Sequence, residues 1–411
     1  MTTNFFKSAI TALALLVAFN SCKEDKTKYL IEITYDSEQG TITGGGEYEE
    51  GEKATLTAIA NPGYYFARWV GDYKSKDSVL TITVTANKSL SAIFGKIESS
   101  EYGSVKITIS EGGTYYLYEA SPNENCYFVK WSDGSYELSK KVDVSAVEKL
   151  TATFKPYPEG SIHTLFFVSP TKRVIFSKGY LQFNPTLGTH TRADGTTAPG
   201  TWRFAEKQTD RINSDLNVSA TYDGWIDDFA WGTSGWSGSG ATYYQPYDGY
   251  NSEDISGIPD SVGKLFGPQG NYALTGDYAY ADWGVYNPIS NGGNKPGMWR
   301  TLSLDEFKSF LRIYYNKKYF RFLDGYVFYS DNYPSKDNEG IYTENDLSKY
   351  NNLLYFETLK EHWIANYSDE FFLAEAVSIS VMLTFEEQYA WPYAYPRFSR
   401  LPVRLVMDVE E

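Results

Sequence analysis

A tandem repeat near the start of the chain restricts its fold more than any other feature of the sequence. Phe66 and Trp69 recur as Phe128 and Trp131, and both residues are offset by 62 positions (128 − 66 and 131 − 69). Matching segments also open and close the two copies, at residues 40–43 and 103–106 and at residues 90–94 and 150–154. Self-similarity at one period indicates repeated structural units. We therefore predict two small modules, residues 29–95 and residues 96–155.

The residue pattern within the repeat indicates β structure. Residues 54–58 and 79–84 alternate apolar and polar side chains with a period of two, which is typical of half-buried strands. Pro62-Gly63 indicates a turn, after which the Phe and the Trp of each copy can fill a small core. Loss of either Trp should cost about 3–5 kcal/mol, which is a large amount for a module of about 60 residues.

The turn of the first copy also points to a known family. Residues 63–69 are Gly-Tyr-Tyr-Phe-Ala-Arg-Trp, and residues 92–94 are Ala-Ile-Phe. This resembles the divergent internalin-type B repeats of bacterial surface proteins, which have a Gly-Tyr-x-Phe-x-x-Trp turn and a closing Ala-x-Phe strand. The second copy has Asn125 in place of the glycine and Cys126 in place of the first tyrosine. The resemblance implies that the modules act as a stalk or spacer, and we predict that Cys126 packs in the core.

The N-terminus has the features of a bacterial export signal. Lys7 precedes an apolar run at residues 9–19, which is shorter than the roughly 20 residues that cross a bilayer and is typical of a signal peptide. The run ends in Phe-Asn-Ser-Cys at residues 19–22, which resembles the lipobox of bacterial lipoproteins. That resemblance implies removal of residues 1–21 and acylation of Cys22, with several acyl chains giving a stable membrane anchor. The alternative is an ordinary cleaved signal peptide with a chance cysteine.

The residues after the lipobox bear on location. Residues 22–28 would form a lipidated tether, and they include Lys-Glu-Asp-Lys at residues 23–26. This segment resembles the acidic export signal that Bacteroidota use to send lipoproteins to the cell surface, although a solvated linker also explains it. We therefore predict a lipid-anchored outer-membrane protein that is exposed at the cell surface.

Cysteine count, charge and aromatic content narrow the class further. Once Cys22 is lipidated, Cys126 has no partner for an intramolecular disulfide. Removing residues 1–21 takes away one Lys and no acid, which leaves 36 basic and 52 acidic residues and a net charge of −16 (36 − 52). This charge disfavours nucleic acid and anionic lipid as partners. The 36 Tyr and 10 Trp fit either loops that bind sugars or proteins or a Tyr-rich sheet surface.

A longer domain is predicted beyond a linker at residues 155–160. The composition of residues 160–411 is rich in Trp, Tyr, Asp and Gly and shows no further boundary. Ser303 and Glu306 form a capping box, and the apolar residues that follow it have the spacing of one helix face. Residues 401–406 are predicted to be a closing strand.

Two segments of this domain resemble the formylglycine-generating-enzyme branch of the C-type-lectin-like fold. Residues 299–307, Trp-Arg-Thr-Leu-Ser-Leu-Asp-Glu-Phe, match a Trp-Arg-Leu-Pro-Thr-x-x-Glu-Trp segment that enters a helix, and residues 403–406, Val-Arg-Leu-Val, match the closing strand. The resemblance implies an α+β domain with long loops, in which Trp299, Arg300 and Glu306 belong to the structural core. The predicted fold is therefore mainly β tandem modules followed by an α+β C-type-lectin-like domain.

The resemblance does not extend to catalysis. Residues 155–411 lack the cysteines with which that family binds copper, and the histidines at positions 163, 190 and 362 lack metal-ligand spacing. We predict no catalytic activity and no bound metal or cofactor. Two alternatives stay open. Asp227 and Asp228 could serve a polysaccharide-processing hydrolase, and the oxygen-rich residues 331–340 could bind calcium, although they lack the EF-hand spacing.

A ligand-binding domain is the function that remains. Tryptophan rings offer flat faces for sugar stacking, or they pack loops against a sheet. By analogy with C-type-lectin-like domains that retroelements diversify, the aromatic residues before the last strand form a second candidate surface. The candidate ligand-binding residues are Trp225, Trp231, Trp236, Tyr389, Trp391, Tyr393 and Tyr395. We predict an adhesin or receptor for a glycan or a protein. A structural subunit of a surface or pilus complex is the further alternative.

Overall fold

The computed structural model describes residues 26–146, 149–212, 219–238, 244–248, 274–314, 319–322, 325–329, 353–357, 365–366, 384–386, 389–391 and 400–409. The chain divides into two compact units, Met1–Pro156 and Tyr157–Glu411. The described residues are mainly β. Among them, no helix is both long enough and apolar enough to cross a membrane. The predicted signal peptide and Cys22 lie outside the described residues.

The N-terminal unit is built from short strands that alternate buried and exposed residues. The strands are β1 (Lys28–Thr34), β2 (Gly40–Thr43), β3 (Gly46–Glu49), β4 (Lys53–Ala60), β5 (Tyr64–Gly71), β6 (Val79–Thr83), β7 (Lys88–Ser99), β8 (Gly103–Ile109), β9 (Tyr115–Pro122), β10 (Cys126–Trp131), β11 (Ser139–Asp143) and β12 (Ala152–Pro156). Seven of them form one sheet in the order β11-β9-β8-β7-β1-β3, with β5 also paired to β7. The others form the sheet β2-β4-β6 and the pair β10-β12.

Five strands of the first copy pair in the same way as five strands of the second, whereas β1 and β3 have no counterpart among the described strands of the second copy. The antiparallel set β2-β4-β6 of the first copy corresponds to β8-β9-β11 of the second, and the pair β5-β7 corresponds to β10-β12. Both of these pairs contain a register shift at the same place, between Phe66 and Arg68 in β5 and between Phe128 and Lys130 in β10. A β-bulge changes the direction in which the following side chain points. In each copy, the core Trp lies just after the register shift.

The aromatic core is also repeated. Trp69 and Trp131 are fully buried, and each ring centroid lies 5.3 Å from that of the preceding Phe, Phe66 or Phe128. Each indole N–H donates to a backbone carbonyl in the loop that follows, at 3.0 Å in the first copy and 2.6 Å in the second. Phe128 is buried, whereas Phe66 is half-buried. These contacts place all four residues in the two module cores.

The turn before the core Trp explains one substitution between the copies. Gly63 has a φ of 83°, and Asn125, which replaces it, has a φ of 59°. Asn is one of the few residues other than glycine that tolerate this left-handed region. Cys126 is half-buried and free, so it lies at the edge of the core and not within it.

Strand β7 joins the modules. It pairs with β1 and β5 of the first copy and continues, at residues 96–99, into an antiparallel pairing with β8 of the second copy. The predicted module boundary at residue 95 therefore lies inside a strand. Side chains add to this junction: Arg68 Nη2 donates to the carbonyl of Ile109 at 2.7 Å, and the hydroxyls of Tyr65 and Thr108 are hydrogen-bonded. The two modules consequently share one continuous sheet.

The C-terminal unit contains several small sheets in its described part. Its strands are β13 (Phe166–Phe167), β14 (Arg173–Phe176), β15 (Leu181–Thr191), β16 (Thr197–Phe204), β17 (Asp228–Phe229), β18 (Leu302–Ser303), β19 (Tyr319–Phe322), β20 (Gly325–Tyr329), β21 (Leu353–Glu357), β22 (Ala365–Asn366), β23 (Thr384–Glu386), β24 (Tyr389–Trp391), β25 (Leu401–Pro402) and β26 (Val406–Asp408). They pair as β13-β14-β26, β15-β16, β17-β25, β18-β22, β19-β20-β21 and β23-β24. The helices are a 3-10 helix (Gly276–Ala281), α1 (Trp283–Tyr286) and α2 (Leu304–Tyr314).

Helix α2 begins at the predicted capping box. The Glu306 amide donates to Ser303 Oγ at 3.2 Å, and the Ser303 amide donates to Glu306 Oε2 at 2.8 Å. The apolar face of the helix is buried in a cluster that includes β14. The predicted closing strand at residues 401–406 is instead divided into β25 and β26, and the carbonyls of Val403 and Leu405 between them accept hydrogen bonds from the amides of Leu181 and Ser177.

Candidate functional site

A cavity of about 630 Å³ lies at the far end of the β15-β16 hairpin. Residues 189–193 line one side, and Pro288 with residues 294–296 lines the other. We call this feature the hairpin cavity. Its volume falls within the range of about 300–1,000 Å³ that is usual for small-ligand sites.

The hairpin side of the cavity is set by an irregular strand. The β15-β16 register shifts between Asn184 and Thr189, so β15 contains extra residues there. Asn184 Oδ1 accepts the backbone amides of Thr186 at 3.0 Å and Leu187 at 2.9 Å, which holds the bulged segment in place. Beyond the bulge, the strand presents Thr189 and Thr191 to solvent.

Hydrogen bonds made by Asn291 and Trp299 fix the loop on the other side of the cavity. Asn291 forms a hydrogen-bond pair with the backbone of Phe204, at 2.7 Å and 2.9 Å. The indole N–H of Trp299 donates to the carbonyl of Gly292 at 2.8 Å. Asn294 has a φ of 50°, a left-handed conformation that asparagine tolerates, as at Asn125.

His190 connects the two sides. Its Nδ1 lies 2.8 Å from the carbonyl oxygen of Gly200, and its Nε2 lies 3.0 Å from Asn287 Oδ1. The amide nitrogen of Asn287 donates to the carbonyls of Ser234 and Trp283, which directs its oxygen to the histidine. Both ring nitrogens face acceptor atoms, which favours the protonated ring. Burial has the larger effect, however, and lowers the pKa of His190. The two contacts hold the ring between Gly200 of β16 and Asn287.

Arg192 is held over an aromatic ring. Its guanidinium carbon lies 5.3 Å from the ring centroid of Tyr286, a distance suited to a cation–π contact. The Tyr286 hydroxyl donates to Asp194 Oδ2 at 2.9 Å. Hydrogen bonds from Thr196 lower the pKa of Asp194, so the carboxylate that fixes the tyrosine stays ionised.

Space for the Arg192 side chain depends on a glycine. A Cβ atom built on Gly235 would lie 2.8 Å from Arg192 Nη2, and Gly235 has a φ of 91°. The buried Nε–H of Arg192 has no hydrogen-bond partner. Lys295, on the opposite side of the cavity, is exposed. The hairpin cavity thus brings two cationic side chains together in a chain with a net charge of −15.

The three candidate tryptophans differ in their surroundings. Trp231 is buried and packs edge-on against Trp283, with ring centroids 5.7 Å apart. Its faces are covered by protein, so the prediction that it stacks on a sugar is corrected to a packing role. Trp225 is half-buried, and the Arg203 guanidinium carbon lies 3.7 Å from its ring centroid, which covers one face. Trp236 is half-buried against the rings of two tyrosines, Tyr278 and Tyr280.

The second candidate surface is only partly described. Tyr389 and Trp391 lie on β24, which pairs with β23. Tyr393 and Tyr395 lie outside the described residues. These four residues stay predictions, and none of the residues that line the hairpin cavity belongs to either candidate set.

Arg300 and Glu306 form part of an ion-pair network. Arg300 donates to both Glu306 oxygens, at 2.7 Å and 2.9 Å, and to both Asp408 oxygens, at 2.9 Å and 2.5 Å. Lys172 Nζ lies 2.7 Å from Glu306 Oε1. Burial opposes the ionisation of Glu306 and Asp408, but the hydrogen bonds from Arg300 outweigh it and lower both pKa values. The network ties α2 to β26, while Trp299 is fully buried beside it.

The carboxylate pair considered for a hydrolase is engaged in an ion pair. Arg211 Nε lies 2.8 Å from Asp227 Oδ2, and Arg211 Nη2 lies 2.6 Å from Asp228 Oδ1. Asp227 is fully buried. A glycosidase needs two carboxyl groups on either side of a substrate bond, and this buried arrangement places a guanidinium against both.

Few groups could hold a metal ion in the described part of the chain. Within it, no three His, Cys, Asp or Glu side chains cluster closely enough to do so. His163 stacks on Tyr157 with ring centroids 4.8 Å apart. His362 and the calcium candidate at residues 331–340 lie outside the described residues.

Comparison with known proteins bears on the N-terminal unit. Residues 31–98 match the family described as the Divergent InlB B-repeat domain. The prediction of a B repeat is confirmed for this first copy, and a repeat of this kind suggests a surface-type protein. No curated protein and no solved structure matches the chain.

Proposed function

We propose that the chain is a lipid-anchored outer-membrane protein that presents a ligand-binding domain at the cell surface on a β-repeat stalk. The lipid would be attached at Cys22, and the ligand would be a glycan or a protein. The observation that carries the proposal is the junction at β7, which makes the two repeats one continuous structural unit. A stalk requires such continuity, because independent modules on a flexible linker would not hold a domain away from a membrane.

The hairpin cavity supports the binding role of the C-terminal unit. Its lining is positioned by hydrogen bonds from the scaffold, including those of Asn291 and Trp299 to the loop, and a binding site that is already positioned loses less entropy when a ligand binds. We propose a C-type-lectin-like fold for this unit, supported by the arrangement of Trp299 and Arg300 before helix α2 and of Glu306 in its first turn. We assign no catalytic role and no cofactor to the chain.

Acylation and exposure can be tested on cells that express the full chain. Metabolic labelling with an alkyne fatty acid should mark the wild type and should disappear in Cys22→Ala. Cys126→Ala is the matched control, because it removes the other cysteine, and it should keep the label. Recovery of the wild type as an unlabelled, soluble periplasmic protein would contradict the proposal.

Exposure at the surface requires a second measurement. Protease added to intact cells should digest the chain, while a periplasmic marker protein should stay intact. Protection of the chain until the outer membrane is permeabilised would place it on the periplasmic side and would contradict the surface role.

A further inference from the structure

We infer that the hairpin cavity binds a saccharide that carries a carboxylate, such as a uronic acid or a sialic acid unit, through Arg192 and Lys295. This inference rests on the proposed binding function of the C-terminal unit and names the class of ligand. It assigns a site that contains none of the aromatic residues singled out in the sequence.

The absence of a direct ion-pair contact at either cation, in the part of the chain that the structure describes, is the first argument, since Asp194 acts on Arg192 only through space. Two other arginines of this unit, Arg211 and Arg300, have carboxylate partners within hydrogen-bond distance. Within the described residues, neither Arg192 nor Lys295 forms a side-chain hydrogen bond or an ion pair, and both side chains line the hairpin cavity. An arginine offers a planar fork of donors that matches a carboxylate, and hydrogen bonds between charged groups are among the strongest.

Preorganisation of Arg192 is the second argument. The Tyr286 ring supports one face of its guanidinium, and Gly235 leaves the space that the Nη2 atom occupies. Hydrogen bonds from Tyr286 and Thr196 to Asp194 fix this support. A guanidinium that is already restrained gives up little conformational entropy when it binds an anion.

The polar lining favours a saccharide over a protein as the carrier of the carboxylate. Thr189, Thr191 and Asn294 place two hydroxyls and an amide at the exposed rim, and these groups suit the hydroxyls of a sugar. Protein interfaces usually depend on buried aromatic or aliphatic anchors, and apart from the ring of His190 the lining has no aromatic side chain.

The experiment measures binding of matched oligosaccharides to the purified full chain by calorimetry. Trigalacturonate and 3′-sialyllactose are each compared with their methyl esters, so that each pair differs in the presence of the carboxylate charge. Hexaglutamate tests whether a peptide carboxylate suffices. The variants are Arg192→Gln and Lys295→Gln, and the controls are Arg312→Gln and Lys308→Gln, which change the same charges at exposed positions of α2 outside the cavity.

At least one acidic sugar should bind, its neutral counterpart should not, and rising salt should weaken the binding. Arg192→Gln and Lys295→Gln should each lower the affinity at least tenfold, which is the usual effect of losing a hydrogen bond to a charged group, while the two α2 variants should bind as the wild type does. Because Lys295 is exposed, its variant reports on binding even if Arg192→Gln alters folding.

Several results would overturn the inference. Equal losses in the cavity variants and the α2 variants would indicate a general charge effect, and hexaglutamate that binds as tightly as the sugars would remove the saccharide class. Failure of both acidic sugars to bind would also overturn it, yet the surface role would stand as long as external protease still digests the chain on intact cells.

Discussion

Trp131→Ala should loosen both repeat modules and not only the module that contains the substitution. The indole of Trp131 is fully buried, contacts the rings of Phe128 and Tyr118, and donates to the carbonyl of Glu137. Truncation of such a residue costs about 3–5 kcal/mol. This range corresponds to a loss of hydrogen-exchange protection of about two to three and a half orders of magnitude in β10.

The effect on the first module follows from the shared sheet. If the second module opens, β7 loses its pairing with β8 at residues 96–99, and Arg68 loses its bond to the carbonyl of Ile109. The first module keeps its own core around Trp69. We therefore expect its protection to fall as well, by roughly tenfold, which corresponds to the loss of one or two net hydrogen bonds.

Native-state hydrogen exchange with mass spectrometry on the full chain measures both effects, because separate peptides report on β5 and β10. Ile59→Ala is the control, since its side chain is 58% exposed and surface substitutions usually change stability by about 0.5 kcal/mol or less. Unchanged exchange in β5 of Trp131→Ala would show that the modules open independently, and the stalk argument based on β7 would then be wrong.

Two further predictions concern the C-terminal unit. Glu306→Gln should lower the free energy of unfolding by about 3 kcal/mol at pH 7, because it removes a charged partner of Arg300 while the amide can keep the capping box. Since the pKa values of Glu306 and Asp408 are lowered by folding, their stabilising effect is present above about pH 4 and is lost as the pH falls through the folded-state values. The difference in melting temperature between wild type and variant should therefore be present at pH 7 and shrink as the pH is lowered through the folded-state pKa values, and a difference that stays constant down to acid pH would contradict the ion-pair account. Gly200→Ala should destabilise the β15-β16 hairpin by about 2 kcal/mol or more, because the new Cβ would lie 2.5 Å from an aromatic ring at a φ of 95°. Gly195→Ala, with a φ of 82° and no atom within 4 Å, should cost only about 1 kcal/mol, and urea unfolding followed by tryptophan fluorescence should show this order.

Local features were predictable because they depend on residues close together in the sequence. The capping box requires only Ser303 and Glu306, which are three positions apart, and the burial of one helix face follows from apolar spacing. The repeat showed which Phe and Trp fill equivalent positions. It also contained the reason for Asn125, since a turn that needs a positive φ accepts glycine or asparagine.

The module boundary was harder to predict. A repeat pattern marks where similar segments begin and end, but it does not show whether a strand stops at that point. Strand β7 has partners in both copies, and pairing across a sheet depends on three-dimensional neighbours. For the same reason, the sequence alone could not tell whether Trp231 faces solvent or packs against Trp283.

The sequence by itself determined the repeat, its aromatic core and the start of helix α2, because periodicity and short-range capping carry that information. Only the tertiary structure decided the hairpin cavity. Its two sides come from segments connected by His190 and Asn287, which are 97 positions apart, and neither segment has a pattern that predicts the other. Arg192 and Lys295 become a candidate anion site only when folding brings those segments to the same cavity.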